Sequence, residues 1–302
     1  MTEKEILSDR IRRLAVNVGF DMIGFANTAE FSDYPLKTSL RQDPKRSMPS
    51  AKTIIVAGIY IGGLALPVWQ NDLYGRTSRL FLSGFFLDIV KPLEPMAGLL
   101  REAGFQAMVC DGSKEKGSIL PLKLAAVRAG LGWQGKHSLL ISKQFGTFLA
   151  LGGIITDAEL EHNTLEETNR CKTCDKCQKA CPLSALDKPY VLNKTACMSN
   201  RLQNESLSEK VENVMENRIV DCEICQEACP WNQKLIKHPL DTRMSVSFEQ
   251  KMEDWGKFFY LPDLVELSED RYRKTIGLLN TDIPYELFHR NVLIAMGKNN
   301  AI

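Results

Sequence analysis

The sequence predicts an α+β protein in three parts: a layered domain over residues 1–160, a cysteine-rich domain over 161–245 and a short helical segment over 246–302. Three observations support this. Apolar, β-branched runs alternate with amphipathic stretches up to about residue 160, eight of the nine cysteines fall between Cys171 and Cys229, and apolar residues recur at helical spacing near the end. With 44% hydrophobic and 25% charged residues, the composition is that of a folded soluble chain.

The first predicted element is an amphipathic helix near the N-terminus. Apolar residues recur at helical spacing from Leu7 to Val18, behind a Thr2-x-x-Glu5 capping box, and Gly19 supplies a stop. The paired arginines inside it therefore belong to an ordinary helix rather than to an export signal, and we expect a cytoplasmic protein.

The elements that follow are bounded by glycine and proline. The predicted strands are Phe20–Ala26, Thr53–Ile61, Phe105–Cys110, Ser138–Ile141 and Thr147–Thr156. The predicted helices are Met96–Ala103, Leu122–Ala129 and Tyr285–Met296, the last with Phe288, Val292 and Ala295 on one face. Residues 158–170 are polar and acidic and are expected to link the first domain to the cysteine-rich one.

The cysteines fall into two similar runs. Residues 171–182 read CKTCDKCQKACP and match C-x2-C-x2-C-x3-C-P at every position. Residues 222–230 read CEICQEACP, and Cys197 lies between the runs. One dense block in a long cysteine-free chain favours metal or cluster ligation over a disulfide framework. The ninth cysteine, Cys110, ends an apolar strand and is expected to be a buried thiol.

The spacing predicts two 4Fe-4S clusters. In two-cluster ferredoxins, a run of this kind gives three thiolates to one cluster and its fourth, before proline, to the other. The same crossing assigns the first cluster to Cys171, Cys174, Cys177 and Cys229. It assigns the second cluster to Cys181, Cys197, Cys222 and Cys225. Two adjacent clusters form a path for electrons, so the pattern indicates redox function.

Two structural zinc sites are the alternative, since C-x2-C pairs also bind zinc. Zinc sites need neither the third close cysteine nor the two Cys-Pro dipeptides. The spacing therefore favours iron–sulfur clusters.

Two blocks of the sequence resemble one known family. CPLSALDKPYVLNKTAC (181–197) followed by NRIVDCEICQEACPWN (217–232) resembles the iron–sulfur segment of epoxyqueuosine reductases, which are related to corrinoid-dependent reductive dehalogenases. AVRAGLGWQGKHSLLI (126–141) is similar to the segment of that family that borders the cobalamin site. Looser similarity covers most of the remaining chain.

The resemblance implies a nitroreductase-like domain that binds base-off cobalamin. It places Gly130, Gly132 and Gly135 where the backbone approaches the macrocycle, Trp133 packing on it and Lys136 at its polar side chains. The alternative is a glycine-rich connection between a helix and a strand, with Trp133 in the core.

One departure from the family concerns the proton donor. The family carries an Asp-Thr-Gly-Pro stretch whose aspartate is thought to donate the proton, and here the corresponding stretch, KGSILP (116–121), has no carboxylate in register. The catalytic residue is therefore unknown. The candidate replacements are Lys116, Tyr60, His137 and Asp111.

A second departure concerns the end of the chain. The family continues past the last helix into helical repeats that help to grip tRNA, whereas this sequence ends at Ile302. From residue 231 onwards ten acidic residues balance ten Lys and Arg. We therefore expect a shortened relative for which a tRNA substrate is disfavoured.

Three functions fit these features. The first is an iron–sulfur and cobalamin-dependent reductase of a small organic substrate, supplied by a low-potential donor such as ferredoxin or flavodoxin. The second is an electron-transfer or corrinoid-reducing protein without its own substrate. The third is an epoxyqueuosine reductase that acts in tRNA modification with a substituted proton donor.

Overall fold

The computed structural model describes residues 2–32, 42–65, 69, 71–83, 90–110, 119–162, 168–240, 259–276 and 283–299. The chain forms two compact units. Unit 1 comprises Met1–Tyr60, Phe85–Gly135 and Leu139–Lys172. Unit 2 comprises Ile61–Gly84, Lys136–Ser138 and Thr173–Ile302.

Unit 1 is built on an antiparallel sheet. Its strands, in chain order, are β1 (Met22–Asn27), β2 (Thr53–Tyr60), β3 (Ala107–Cys110), β4 (Trp133–Gln134), β5 (Leu140–Ile141) and β6 (Leu149–Thr156). Four of them form one sheet in the order β1-β2-β6-β3, and β4 pairs with β5 separately. Every residue of β2 is buried, as expected for a β-branched strand in the middle of a sheet.

The helices of unit 1 confirm most of the predicted pattern. They are Glu3–Asn17, Val90–Glu102 and Leu122–Arg128, with a short 3-10 turn at Pro44–Arg46. Thr2 and Glu5 form the expected capping box. The second helix begins six residues before the predicted Met96 and contains Pro95. Its apolar face is fully buried, and this burial outweighs the hydrogen bond that proline cannot donate.

One strand differs from the prediction for a local reason. Ser138 has a φ of 65°, a left-handed conformation that an extended strand cannot contain. The strand therefore starts at Leu140, and it pairs with Trp133–Gln134 rather than with β6.

Unit 2 consists mainly of short helices. They are Arg79–Leu82, Lys176–Ala180, Met198–Arg201, Glu209–Val214, Ile224–Glu227, Pro230–Lys237, Leu261–Val265, Glu269–Lys274 and Tyr285–Asn299, with a 3-10 turn at Gly62–Leu64. The predicted face of the last helix is confirmed, because Phe288, Val292 and Ala295 are all buried.

A segment from the N-terminal half of the sequence lies within unit 2. Gly75 N donates to Phe259 O at 2.7 Å, and Arg76 N donates to Asn217 O at 2.8 Å. A Cβ at Gly75 would lie 2.4 Å from Ile219 Cδ1, so a larger residue there would require the Ile219 side chain to move. The segment thus joins the core of the unit that carries most of the cysteines.

The observed architecture confirms the α+β class. Within the described ranges, none of the helices combines the length and the apolar character needed to cross a lipid bilayer.

Candidate metal centre

All nine cysteines lie among the described residues, and no disulfide joins any of them. Cys110 ends β3 inside unit 1 and has no exposed surface, which confirms the buried thiol expected there. Cys171 lies two residues before the chain passes from unit 1 into unit 2. The other seven belong to unit 2.

Two short helices bring the cysteine runs together. Lys176–Ala180 carries Cys177, Ile224–Glu227 carries Cys225, and the two helices pack against each other. Each helix carries the second cysteine of a C-x2-C pair, Cys174–Cys177 or Cys222–Cys225, and is followed by a Cys-Pro dipeptide. The second run therefore repeats the backbone pattern of the first.

The four thiols predicted to hold the second cluster influence one another electrostatically. Burial raises the pKa of Cys222 to about 11, and the neighbouring Cys197 and Cys181 add to that rise. Burial also raises the pKa of Cys225, and Cys222, Cys197, Cys177 and Cys181 add to that rise in this order. Buried thiols that repel each other as thiolates need positive charge between them, and iron ions supply it.

Backbone N–H groups support these sulfurs. Ala185 N donates to Cys181 Sγ at 3.2 Å. N–H groups of Ser199 and Asn200 donate to Cys197, and that of Ile224 donates to Cys222. Donors aimed at sulfur stabilise thiolate and cluster charge, so this part of unit 2 fits an iron–sulfur cluster.

A site for one ion would have a tighter geometry. In the part of the chain that the structure describes, no three His, Cys, Asp or Glu side chains are close enough to share a single metal ion. Thiolates on a four-iron cluster each bind a different iron atom and stand farther apart.

The carboxylate of Glu223, the residue after Cys222, was not singled out from the sequence. Glu223 is 4% exposed and forms an ion pair with Arg79, whose own side chain is 3% exposed. Its carboxylate also accepts a hydrogen bond from Arg79 N at 2.7 Å. Burial raises the pKa of Glu223, although Arg79 acts in the opposite direction. The sequence does show a charged residue between two predicted ligand cysteines. It does not show the ion pair, because Arg79 lies 144 residues away from Glu223 in sequence.

The last helix holds the segment between Cys197 and Cys222. Asn291 is fully buried, and its Nδ2 donates to Leu202 O at 2.9 Å and to Ile219 O at 3.0 Å. Arg290 donates to carbonyls of residues 202, 204 and 205. These bonds satisfy carbonyls at the end of the helix that begins beside Cys197.

Contacts within the protein surround the glycine-rich segment 130–136. Gly130 has a φ of 75° and ends the helix Leu122–Arg128. A Cβ at Gly132 would lie 2.1 Å from Ile141 O, and Trp133 is 1% exposed within β4. Gly135 N donates to Leu139 O at 2.8 Å, and Lys136 O, in unit 2, accepts from Tyr190 N at 2.9 Å. These contacts give the corrinoid interpretation no independent support, and it stays a prediction.

Two of the four candidate proton donors lie among the described residues. Tyr60 is 1% exposed at the end of β2 in unit 1, and His137 is 3% exposed in unit 2. Lys116 and Asp111 lie outside the described residues, as does most of the stretch where the family's aspartate is expected.

Comparison with known proteins gives a consistent result. A family described as "4Fe-4S double cluster binding domain" matches residues 170–232. An epoxyqueuosine reductase from Prochlorococcus marinus is 39% identical over 89% of this chain and 90% of its own length. The epoxyqueuosine reductase of Streptococcus thermophilus has a similar fold, with a TM-score of 0.79 at 24% identity over 96% of this chain and 80% of its own.

A further neighbour corrects one expectation. An epoxyqueuosine reductase solved with an epoxyqueuosine-modified tRNA stem loop has a TM-score of 0.79 at 20% identity, over 96% of this chain and 81% of its own. The expectation that a tRNA partner is disfavoured was wrong. It depended on balanced charge after residue 231, and a net count does not describe local surfaces that contact phosphates. These relatives also favour the third functional hypothesis over a small organic substrate.

The curated relative aligns across nearly all of both chains, including the cysteine runs. The double-cluster match covers all seven cysteines of those runs and Cys197 between them, which agrees with iron–sulfur ligation rather than zinc. This chain belongs to the epoxyqueuosine reductase family and is an oxidoreductase with iron–sulfur clusters.

Proposed function

We propose that this chain reduces epoxyqueuosine in tRNA as a step of queuosine modification. The observation that carries the proposal is the packing of the helix that bears Cys177 against the helix that bears Cys225, in a chain whose curated relative, an epoxyqueuosine reductase, aligns over 90% of its own length. This packing supports the redox chemistry, and the relatives support the substrate.

The ligand assignment is part of the proposal. One cluster is held by Cys171, Cys174, Cys177 and Cys229, and the other by Cys181, Cys197, Cys222 and Cys225. When bound, such clusters supply single electrons at low potential. The chain holds the thiolates, directs backbone N–H groups at sulfur and buries Cys177 and Cys229 away from water.

The cytoplasmic location stays a prediction.

The proton donor differs from the one expected in the family. We infer this because KGSILP (116–121) offers no carboxylate in register with the family's aspartate.

The test is a turnover assay on reconstituted protein. The chain is loaded with iron and sulfide under anaerobic conditions, which should give about eight irons per chain for two four-iron clusters. It is then incubated with a chemical reductant and tRNA from a strain that lacks epoxyqueuosine reductase, with and without added cob(II)alamin. Digestion and chromatography of the nucleosides should show conversion of epoxyqueuosine to queuosine.

The matched controls are two cysteine variants. Cys181→Ala should lose about four irons and all conversion, whereas Cys110→Ala should keep both, because Cys110 lies apart in unit 1. Absence of queuosine from protein that contains its full iron in both assay arms would reject the proposed function. A requirement for cob(II)alamin would support the corrinoid prediction.

A further inference from the structure

Asp221 directly precedes Cys222 and binds three side chains. Its Oδ1 accepts hydrogen bonds from Ser199 Oγ at 2.5 Å and from Gln203 Nε2 at 3.4 Å. Its Oδ2 accepts from Ser78 Oγ at 2.9 Å. One carboxylate thus joins separate segments of unit 2.

These bonds connect two of the cysteines assigned to the second cluster. Ser199 belongs to the helix Met198–Arg201, which begins directly after Cys197. The backbone N–H groups of Ser199 and Asn200 donate to Cys197. The bond from Ser199 to Asp221 therefore fixes the turn that presents those donors relative to Cys222.

The backbone at Asp221 explains why this residue type is present. Its φ is 58°, in the left-handed region, which aspartate and asparagine tolerate better than other residues with a side chain. The carboxylate is also within electrostatic reach of the site. After burial and neighbouring Cys181, the charge of Asp221 contributes to the raised pKa of Cys197.

A fixed negative charge near a cluster changes its redox behaviour. Reduction adds an electron, so a neighbouring carboxylate disfavours the reduced state and lowers the potential. Hydroxyl groups that donate to the carboxylate partly offset its charge.

We propose that Asp221 is a positioning residue that orients Cys197 and Cys222, and that its charge lowers the reduction potential of the cluster held by Cys181, Cys197, Cys222 and Cys225. The inference rests on the proposed function only through this ligand assignment.

The test is redox titration of the reconstituted protein, followed by electron paramagnetic resonance. Asp221→Asn removes the charge and keeps the shape and the left-handed backbone. It should raise the potential of one cluster and leave the other unchanged. The ratio of reduced to oxidised cluster at a fixed applied potential should rise roughly tenfold, which is about 59 mV for one electron. The exposed variant Asp263→Asn in the same unit should change neither potential.

Ser199→Ala gives an independent prediction of opposite sign. It removes the hydroxyl donor but keeps the backbone N–H that reaches Cys197, so the carboxylate charge is less offset and the potential should fall. If Asp221→Asn loses one cluster, the test rests on Ser199→Ala. A lower reduction potential of the second cluster in Ser199→Ala supports the inference, and an unchanged or higher potential overturns it. An Asp221→Asn protein with full iron and unaltered potentials would also overturn it. A wild-type iron content near four would instead contradict the ligand assignment.

Discussion

Gly132 is required by a backbone oxygen. A Cβ there would lie 2.1 Å from Ile141 O, closer than real Cβ contacts. The sequence offered two roles for this glycine, an approach to a cofactor or a connection between a helix and a strand. Strand β5 supplies the oxygen, and neighbouring Trp133 is buried in β4, which pairs with β5.

Gly132→Ala should therefore destabilise the protein without any added corrinoid, by roughly 2–4 kcal/mol, because a backbone contact must open. The measurement is the thermal midpoint of the iron-loaded protein by circular dichroism. Gly98→Ala is the matched control, since nothing lies within 4 Å of a Cβ at that helical position. It should stabilise the protein by roughly 0.5–1 kcal/mol. Equal midpoints for Gly132→Ala and wild type would show that the contact with β5 is not what requires glycine.

The sequence indicated the candidate ligands but not the polar residues that hold them in place. The cysteine spacing named eight ligand candidates, and seven of them lie in one unit. It did not identify Asp221, Glu223 or Asn291, because each acts through a partner distant in sequence. Asn291 shares the last helix with the predicted apolar residues, and a polar residue there would ordinarily be assigned to solvent.

The helix Arg79–Leu82 is bound to the cysteine helix Ile224–Glu227 through a buried ion pair. Arg79 and Glu223 are each 3% exposed at the side chain, and Arg79 Nε also donates to Gly62 O at 3.1 Å. Arg76 pairs with Glu227 on the same helix. Both carboxylates lie in the run that carries Cys222 and Cys225, so the pairs help to fix that run.

Arg79→Met should destabilise the protein by about 3–5 kcal/mol, since it leaves a buried carboxylate without its cation. The thermal midpoint of the reconstituted protein measures the loss. Arg273→Met breaks only an exposed pair with Glu269 and should leave the midpoint unchanged. In the double variant Arg79→Met, Glu223→Leu, part of the loss should return. A single variant as stable as the wild type would show that the ion pair does not support this part of unit 2.

Elements were predictable where local signals agreed. The capping box at Thr2, the central strand β2 and the apolar face of the last helix all matched. The helix Val90–Glu102 starts six residues before the predicted Met96, because tertiary packing of its apolar face outweighs the hydrogen bond lost at Pro95. The pairing of β5 with β4 depended on a left-handed Ser138 that no local pattern indicated.

For the whole molecule, sequence order and spatial organisation differ. Residues 61–84 precede the cysteines by about ninety positions, yet they belong to unit 2 and supply Ser78 and Arg79 to the environment of Cys222. No periodicity or motif indicates such a contact. The fold class, the double-cluster motif and the family could be predicted, whereas the tRNA substrate was ranked too low because the end of the sequence and the charge balance were given too much weight.

The most direct test of the central claim is nucleoside analysis of tRNA from a strain that lacks its own epoxyqueuosine reductase and expresses this chain. The account predicts that queuosine replaces accumulated epoxyqueuosine, and that Cys225→Ala abolishes this replacement while Cys110→Ala does not. Persistence of epoxyqueuosine, in cells where the chain is abundant and carries both clusters, would contradict it.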